Sequence, residues 1–474
     1  MTAREPDPAP PPGRTDGVRL AIRRLIASQA LLPGDKLPSI RQLARERAVS
    51  PSTVAEAYDR LAAEGLIRPR PGAGFYVAAA LPPAVSEVSA PTTRAVDPFW
   101  VSRQSLDAAR GTLRPGCGWL PPDWMPLAAI RRALRAAAKT DEATLLEYGS
   151  TRGSLALRRL LVRGLAGEGI AAGPENLLLT SSGTQAIDLI CRHVVRPGDT
   201  VLVDDPCYFN FRALLQAHAV RIVGVPYTPA GPDVAAFEAA LAAHRPRLYL
   251  TNSALHNPTG ATLSPHTAHR LLAAAAAQDL IIVEDEIFAD FEPERSVRLA
   301  ALDGLNRVIR IGSFSKTLSA SIRCGYIAAR PELAEALVDL QLATGFGGPS
   351  PLAAELVFRT LSEGGYYRHL GSLRGRLARR RREVGAELAR CGLQAWTLPR
   401  GGFYLWCRLP DGRDASEVAQ RALQQGIVLA PGNVFSVSLA ASDFLRFNVT
   451  QTTPPVLDFL QRACAEPAFR QAAR

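Results

Sequence analysis

Residues 312–326 read GSFSKTLSASIRCGY, and the lysine near their centre, Lys316, is one of three in a chain with 55 lysines and arginines; the others are Lys36 and Lys139. A sequence that uses arginine almost everywhere keeps lysine here for a task that a guanidinium cannot perform. A neutral amine condenses to a Schiff base, whereas a guanidinium stays charged and unreactive. The stretch follows the apolar run Val308, Ile309, Arg310, Ile311, which reads as a strand. Lys316 therefore stands beyond a strand's carboxyl end, where α/β sheets bind their ligands.

Outward from this point, apolar β-like runs alternate with helical stretches. The expected strands are Leu177 to Thr180, Thr200 to Asp204, Arg221 to Val225, Arg247 to Thr251, Leu280 to Glu284, Val308 to Gly312 and Gly325 to Ala328, with helices over 184–194 and 264–278. That alternation implies a largely parallel sheet covered by helices. Polar motifs fall at the strand ends. SSGTQAIDL (181–189) opens a helix whose first N–H groups, Gly183 among them, can cradle a phosphate together with the hydroxyls of Ser182 and Thr184. HNPTG offers Asn257, an amide able to donate to a phenolic oxygen. VEDEIF sets Asp285 where a carboxylate can hold a pyridine nitrogen protonated, and Ser313, Ser315 and Arg323 are phosphate-binding types beside Lys316. Taken singly, NPTG is ordinarily a turn, SSGT a helix cap and a lone lysine a solvated side chain. Their order and spacing carry more: 28 residues from Asn257 to Asp285, 31 to Lys316 and 7 to Arg323.

Together these motifs resemble the fold-type I aminotransferases, which use pyridoxal 5′-phosphate (PLP), over roughly residues 112–460. The resemblance implies that Lys316 joins the cofactor, Asp285 secures its ring nitrogen and Tyr208, from DDPCY, stacks on the ring. It gives Arg446, in LRFNV, the α-carboxylate of an amino acid, a task suited to its bidentate fork. Tyr148, in EYGSTRGSLALR, matches the tyrosine that reaches the phosphate from a partner subunit, which implies a homodimer; GGFYLWCRL (401–409) and APGNVF (430–435) complete a small domain. One position departs: Phe288 stands where the family usually has a tyrosine whose hydroxyl bonds the cofactor's phenolic oxygen. Weak transaminase turnover is the expectation.

The first eighty residues differ in kind. Ser39 with Gln42 reads as a capping box ahead of the helical face Ile40, Leu43, Ala44, and a turn follows at Arg47 to Val49. Ser50 reads as the N-cap of a second helix, with Pro51 at its first position and the face Val54, Ala57, Tyr58, Leu61. Leu66 to Arg70 and Phe75 to Val77 read as a hairpin wing. Two short helices and a wing place a second helix in the major groove of DNA. LPSIRQLA, VSPSTVAEAYDRL, AEGLI and GAGFYV resemble the winged helix-turn-helix of GntR-type regulators, which implies that Ser39, Arg41, Ser50, Ser52, Thr53, Gly72 and Gly74 approach double-stranded DNA. In this sequence Pro51 occupies the place where that family commonly has arginine or lysine.

Composition bounds the rest. The net charge of +11 permits a polyanionic partner, and residues 1–80 hold twelve basic and eight acidic side chains. No run is long and apolar enough for a membrane helix, and the start, MTAREPDPAPPPGRTDG, is polar and proline-rich, so a cytoplasmic protein is expected. Seven scattered cysteines without a C-x-x-C pair imply neither a disulfide framework nor a metal site. The expected order is a disordered stretch (1–16), a winged helix-turn-helix (17–78), a linker (79–111), a large α/β PLP-binding domain (112–350) and a small C-terminal α+β subdomain (351–474). As a whole the sequence resembles the MocR subfamily of GntR-type regulators. The resemblance implies a transcriptional regulator that senses PLP, or PLP with an amine or amino acid. A working aminotransferase with an accessory winged helix, and an enzyme domain kept only as a dimerisation scaffold, are the other two readings.

Overall fold

The computed structural model describes residues 13–27, 30–78, 98–109 and 111–465, and the chain divides into two compact units, residues 1–94 and 95–474. In the first, helices α1 (Arg14–Ala27), α2 (Ile40–Glu46) and α3 (Pro51–Ala63) precede an antiparallel hairpin of β1 (Ile67–Arg70) and β2 (Gly74–Val77). α3 forms as its sequence dictates. The Ser50 hydroxyl accepts from Thr53 N at 3.2 Å, Pro51 opens the helix, and Val54, Ala57, Tyr58 and Leu61 are fully buried. At α2 the expected capping box is half made. Ser39 Oγ accepts from Gln42 N at 3.3 Å, but the Gln42 side chain donates to Glu46 Oε1 at 2.9 Å, an i,i+4 pair on an exposed face. α1 begins inside the stretch expected to be disordered, because Asp16 in its first turn faces the positive helix end and pairs with Arg19 (3.2 Å) and Arg60 (3.5 Å). The remaining disorder expectation, residues 1–12, lies outside the described residues.

The second unit is built on an eight-stranded sheet. Its strands are β3 (Leu177–Thr180), β4 (Thr200–Asp205), β5 (Arg221–Thr228), β6 (Gly231–Pro232), β7 (Leu248–Thr251), β8 (Ile281–Asp285), β9 (Val308–Ser313) and β10 (Gly325–Ala328), in the order β3-β10-β9-β8-β7-β4-β5-β6. The run from β5 through β9 is parallel, while β10 lies antiparallel to both neighbours and β6 to β5, so the sheet is mixed. β3 and β7 are buried at every position, as strands covered on both faces must be. A smaller antiparallel sheet follows, ordered β11 (Gln394–Ala395), β12 (Tyr404–Arg408), β14 (Phe444–Asn448), β13 (Ala430–Pro431). Among the described residues no helix is long and apolar enough to cross a membrane.

The expected linker is shortened by a helix, α4 (Pro98–Leu106). Trp100 and Val101 are buried in the main core and hold α4 against the helix Phe209–Ala217, so the composition that marks a linker ends before them. Residues 79–97 lie outside the described residues, as do 466–474 of the expected small subdomain. The chain after α4 does not enter the large sheet at once. Val428 N donates to Leu113 O (2.8 Å) and Gly116 N to Val428 O (2.9 Å), which ties residues 113–116 to the small subdomain.

Candidate functional site

The carboxyl ends of β8 and β9 and the start of the helix Gly183–Val194 open on one cleft, and Lys316 lies in its floor. Its Nζ donates to Gly118 O at 2.7 Å. Burial, and then the positive charge of Arg446, push the amine down to about 8, which leaves a substantial neutral fraction at physiological pH. Asp285 ends β8, where its Oδ1 accepts from Ile287 N at 3.1 Å. Burial raises its carboxyl to about 6, opposed by that amide, so it is mainly ionised at neutral pH. Asn257 is buried and accepts from Arg446 Nη1 at 2.8 Å through Oδ1, which turns its Nδ2 toward other acceptors.

One end of the cleft is a cup of N–H and O–H groups. Ser182 caps the twelve-residue helix Gly183–Val194, accepting from Gln185 N at 3.0 Å, and Thr184 Oγ1 accepts from Asn210 Nδ2 at 3.4 Å. Ser313 Oγ donates to Ser315 Oγ at 3.0 Å, and Arg323 completes the cup in a left-handed conformation (φ +56°). Backbone, not side chain, forms the wall over Lys316. A Cβ on Gly118 would lie 3.3 Å from Tyr404 Oη, 3.8 Å from Lys316 Nζ and 4.0 Å from Arg446 Nη2. Arg446, on β14, is 1% exposed; its Nη2 donates to Gly116 O at 2.8 Å and its guanidinium stacks over Tyr404 at 4.2 Å. Among the described residues no carboxylate pairs with it, and its Nε has no partner. A buried cation without a counter-ion is unfavourable, and an anion bound beside it would offset that cost.

The cleft thus gathers Lys316, Asp285, Asn257, Tyr208, Ser182, Gly183, Thr184, Ser313, Ser315, Arg323, Phe288 and Arg446. Tyr208 packs on Phe209 and Phe211, and Phe288 packs on Phe403 and Tyr404 with no hydroxyl to offer. Tyr148 is elsewhere, 82% exposed and edge-on to Phe346 at 4.9 Å. Sequence reasoning missed Tyr404, Trp119 and Asn252, and missed Val101, Ser102, Ser105 and Leu106 of α4, all of which line the cleft. In the first unit Ser39, Arg41, Ser50, Ser52, Gly72 and Gly74 are exposed and Thr53 half-buried, and Arg68 and Arg70 of the wing add exposed charge that was not anticipated.

Residues 14–77 match the family described as bacterial regulatory proteins, gntR family, and residues 122–463 match aminotransferase class I and II. The HTH-type transcriptional regulator YdcR of Escherichia coli is 32% identical over 441 residues, covering 90% of this chain and 93% of that one. The chain belongs to the MocR-type regulators, GntR proteins fused to a class I and II aminotransferase domain. The 2-aminoadipate transaminase of Thermus thermophilus, 29% identical, spans only 71% of this MocR-type chain, though 86% of its own length. A structure of LysN, an α-aminoadipate aminotransferase of Thermus thermophilus complexed with N-(5′-phosphopyridoxyl)-L-leucine, superposes with a TM-score of 0.69 at 27% identity over 76% of this chain and 93% of that one. The aminotransferase class is PLP-dependent, and the residues of this cleft fit that group. The cup of hydroxyls at a helix N-terminus suits a phosphate, Asp285 a ring nitrogen, Asn257 a phenolic oxygen and the depressed amine of Lys316 an aldehyde.

Proposed function

We propose that the protein is a PLP-dependent transcriptional regulator that works as a cytoplasmic homodimer, binding DNA through its first unit and sensing an amino acid or amine through its second. The observation that carries this is the pairing, in one chain, of a helix-turn-helix with an exposed capped recognition helix and a cleft whose buried Arg446 lacks a counter-ion. PLP, when bound, supplies an aldehyde that captures amines and an electron-withdrawing ring. Ser182, Thr184, Ser313, Ser315 and Arg323 would hold its phosphate, Asp285 would keep its ring nitrogen protonated, Tyr208 would pack on the ring and Asn257 would donate to its phenolic oxygen. Lys316, neutral in part near pH 8, would present its amine to the aldehyde. Arg446 binds the ligand's carboxylate, and Tyr148 reaches the phosphate of the partner subunit. On DNA, Ser39 and Arg41 contact the backbone, Ser50, Ser52 and Thr53 bring the start of α3 to the groove, and Gly72 and Gly74 let the wing approach closely.

A second reading, a working transaminase, is favoured by the joint presence of Lys316, Asp285 and Arg446. Phe288 weighs against it, because the oxygen that tunes the cofactor loses one donor. The test is the affinity of the full-length protein for DNA upstream of its own gene, measured by fluorescence anisotropy with and without PLP and amino acids. Sequence-specific binding altered by PLP or by PLP with an amino acid is expected. No specific DNA binding, with steady turnover on the order of 1 per second or faster, would move the assignment to the enzyme.

A further inference from the structure

α4 forms one wall of the cleft, although it precedes Lys316 by about 210 residues in sequence. Val101, Ser102, Ser105 and Leu106 are spaced i, i+1, i+4, i+5, a single helix face, and all four line the cleft. The face is mixed. Val101 is 2% exposed, whereas Leu106 leaves a large apolar surface 72% exposed. Ser105 is 1% exposed and, among the described residues, its hydroxyl has no hydrogen-bond partner. A helical hydroxyl ordinarily turns back on the carbonyl four residues earlier. Thr344, Thr360 and Ser362 of this chain do so, at 2.7, 2.7 and 2.8 Å. Ser105 does not, so its hydroxyl carries the cost of burial without a bond to offset it.

We propose that α4 is the effector-binding wall, and that a small shift of α4 on binding brings the Ser105 hydroxyl to a polar group of the ligand's side chain while Leu106 covers its apolar part. The inference rests on the function proposed above and specifies its ligand. Among the described residues of one protomer, the cations that line the cleft are Lys316, Arg323 and Arg446, already committed to the carbonyl, the phosphate and the α-carboxylate. Within that protomer none is left for a second carboxylate. The ligand class is therefore an α-amino acid with a neutral, mid-sized side chain that bears one hydrogen-bonding group.

The test uses full-length protein loaded with PLP, with L-glutamine, L-leucine and L-glutamate as probes. Three readouts are taken: the cofactor absorption spectrum, hydrogen exchange of residues 98–109, and DNA anisotropy. Wild type is expected to bind glutamine at least tenfold more tightly than glutamate, with altered exchange across α4. Ser105→Ala should lose about tenfold for glutamine and little for leucine, and Leu106→Ala should weaken both. Ser105→Ala should also melt at the same temperature or higher, since it removes a buried hydroxyl without a partner; a merely structural serine would lower it. Unchanged binding of all three probes in both variants, with wild type responding, overturns the role of α4 and leaves the regulator reading intact. A wild type that responds to no amino acid overturns both.

Discussion

Lys316 is the residue on which the cleft's chemistry turns, and its amine is predicted to titrate in an accessible range. With burial holding it at about 8, roughly a tenth is neutral at pH 7 and roughly nine-tenths at pH 9. The rate at which cofactor-free protein captures PLP covalently should rise about tenfold from pH 7 and level off near pH 9, followed by stopped-flow absorbance. An ordinary lysine, near 10.4, would still be gaining at pH 10. Lys316→Ala should lose the borohydride-reducible bond to PLP yet keep weaker binding, because the cup around Ser182 and Ser313 is untouched. Phe288 makes the complementary prediction. Phe288→Tyr places a hydroxyl where the buried ring now packs on Tyr404 at 5.4 Å. It should raise half-reaction rates with amino acids by about ten- to a hundredfold, at or below the worth of one oxyanion-hole donor. A variant no faster than wild type would show that the missing hydroxyl is not what limits turnover.

At the scale of elements, the recognition helix depends on its first residue. Ser50 Oγ accepts from Thr53 N and lies 2.8 Å from both Ser52 Oγ and Thr53 Oγ1. Ser50→Ala should destabilise the first unit by about 1 kcal/mol, read as an earlier melt, and loosen DNA binding by freeing the start of α3. Arg41→Ala should weaken DNA binding and flatten the salt dependence by about one phosphate contact, leaving the cofactor spectrum unchanged. These elements were legible because their signals are local: a cap, a proline, a four-residue apolar face. Seven of the eight strands of the large sheet were legible for the same reason, each a short apolar run between turns, whereas β6, only Gly231 and Pro232, carries no such run. α4 was not, since its anchor is two side chains, Trp100 and Val101, buried against a helix more than a hundred residues later. Tyr404 was missed because FYLW reads as core, and all four of its side chains are core. That one of them also lines the cleft beside Lys316 is set by the pairing of β12 with β14, which no local pattern encodes. The reversal of β10 was hidden likewise, because strand direction follows from connection geometry and not from composition.

At the scale of the whole molecule, the exposed pair Tyr148 and Phe346 bears on assembly. Tyr148 does not reach the cleft of its own chain, so any effect of Tyr148→Phe on PLP affinity has to pass through a second copy. A drop in affinity with an intact dimer in sedimentation is expected; a protein that is monomeric at micromolar concentration with PLP still bound would remove the basis for that residue's role. The scarcity of lysine has one more use. Lys36 is exposed in the first unit and Lys139 in the second, while Lys316 is half-buried in the cleft floor and would be occupied whenever PLP is bound. An amine-reactive donor and acceptor dye therefore find one surface lysine in each unit of the native sequence. With the α-amine blocked, energy transfer between them is a ruler across residues 79–97 that needs no engineered cysteine, and ligand-driven rearrangement can be watched one molecule at a time.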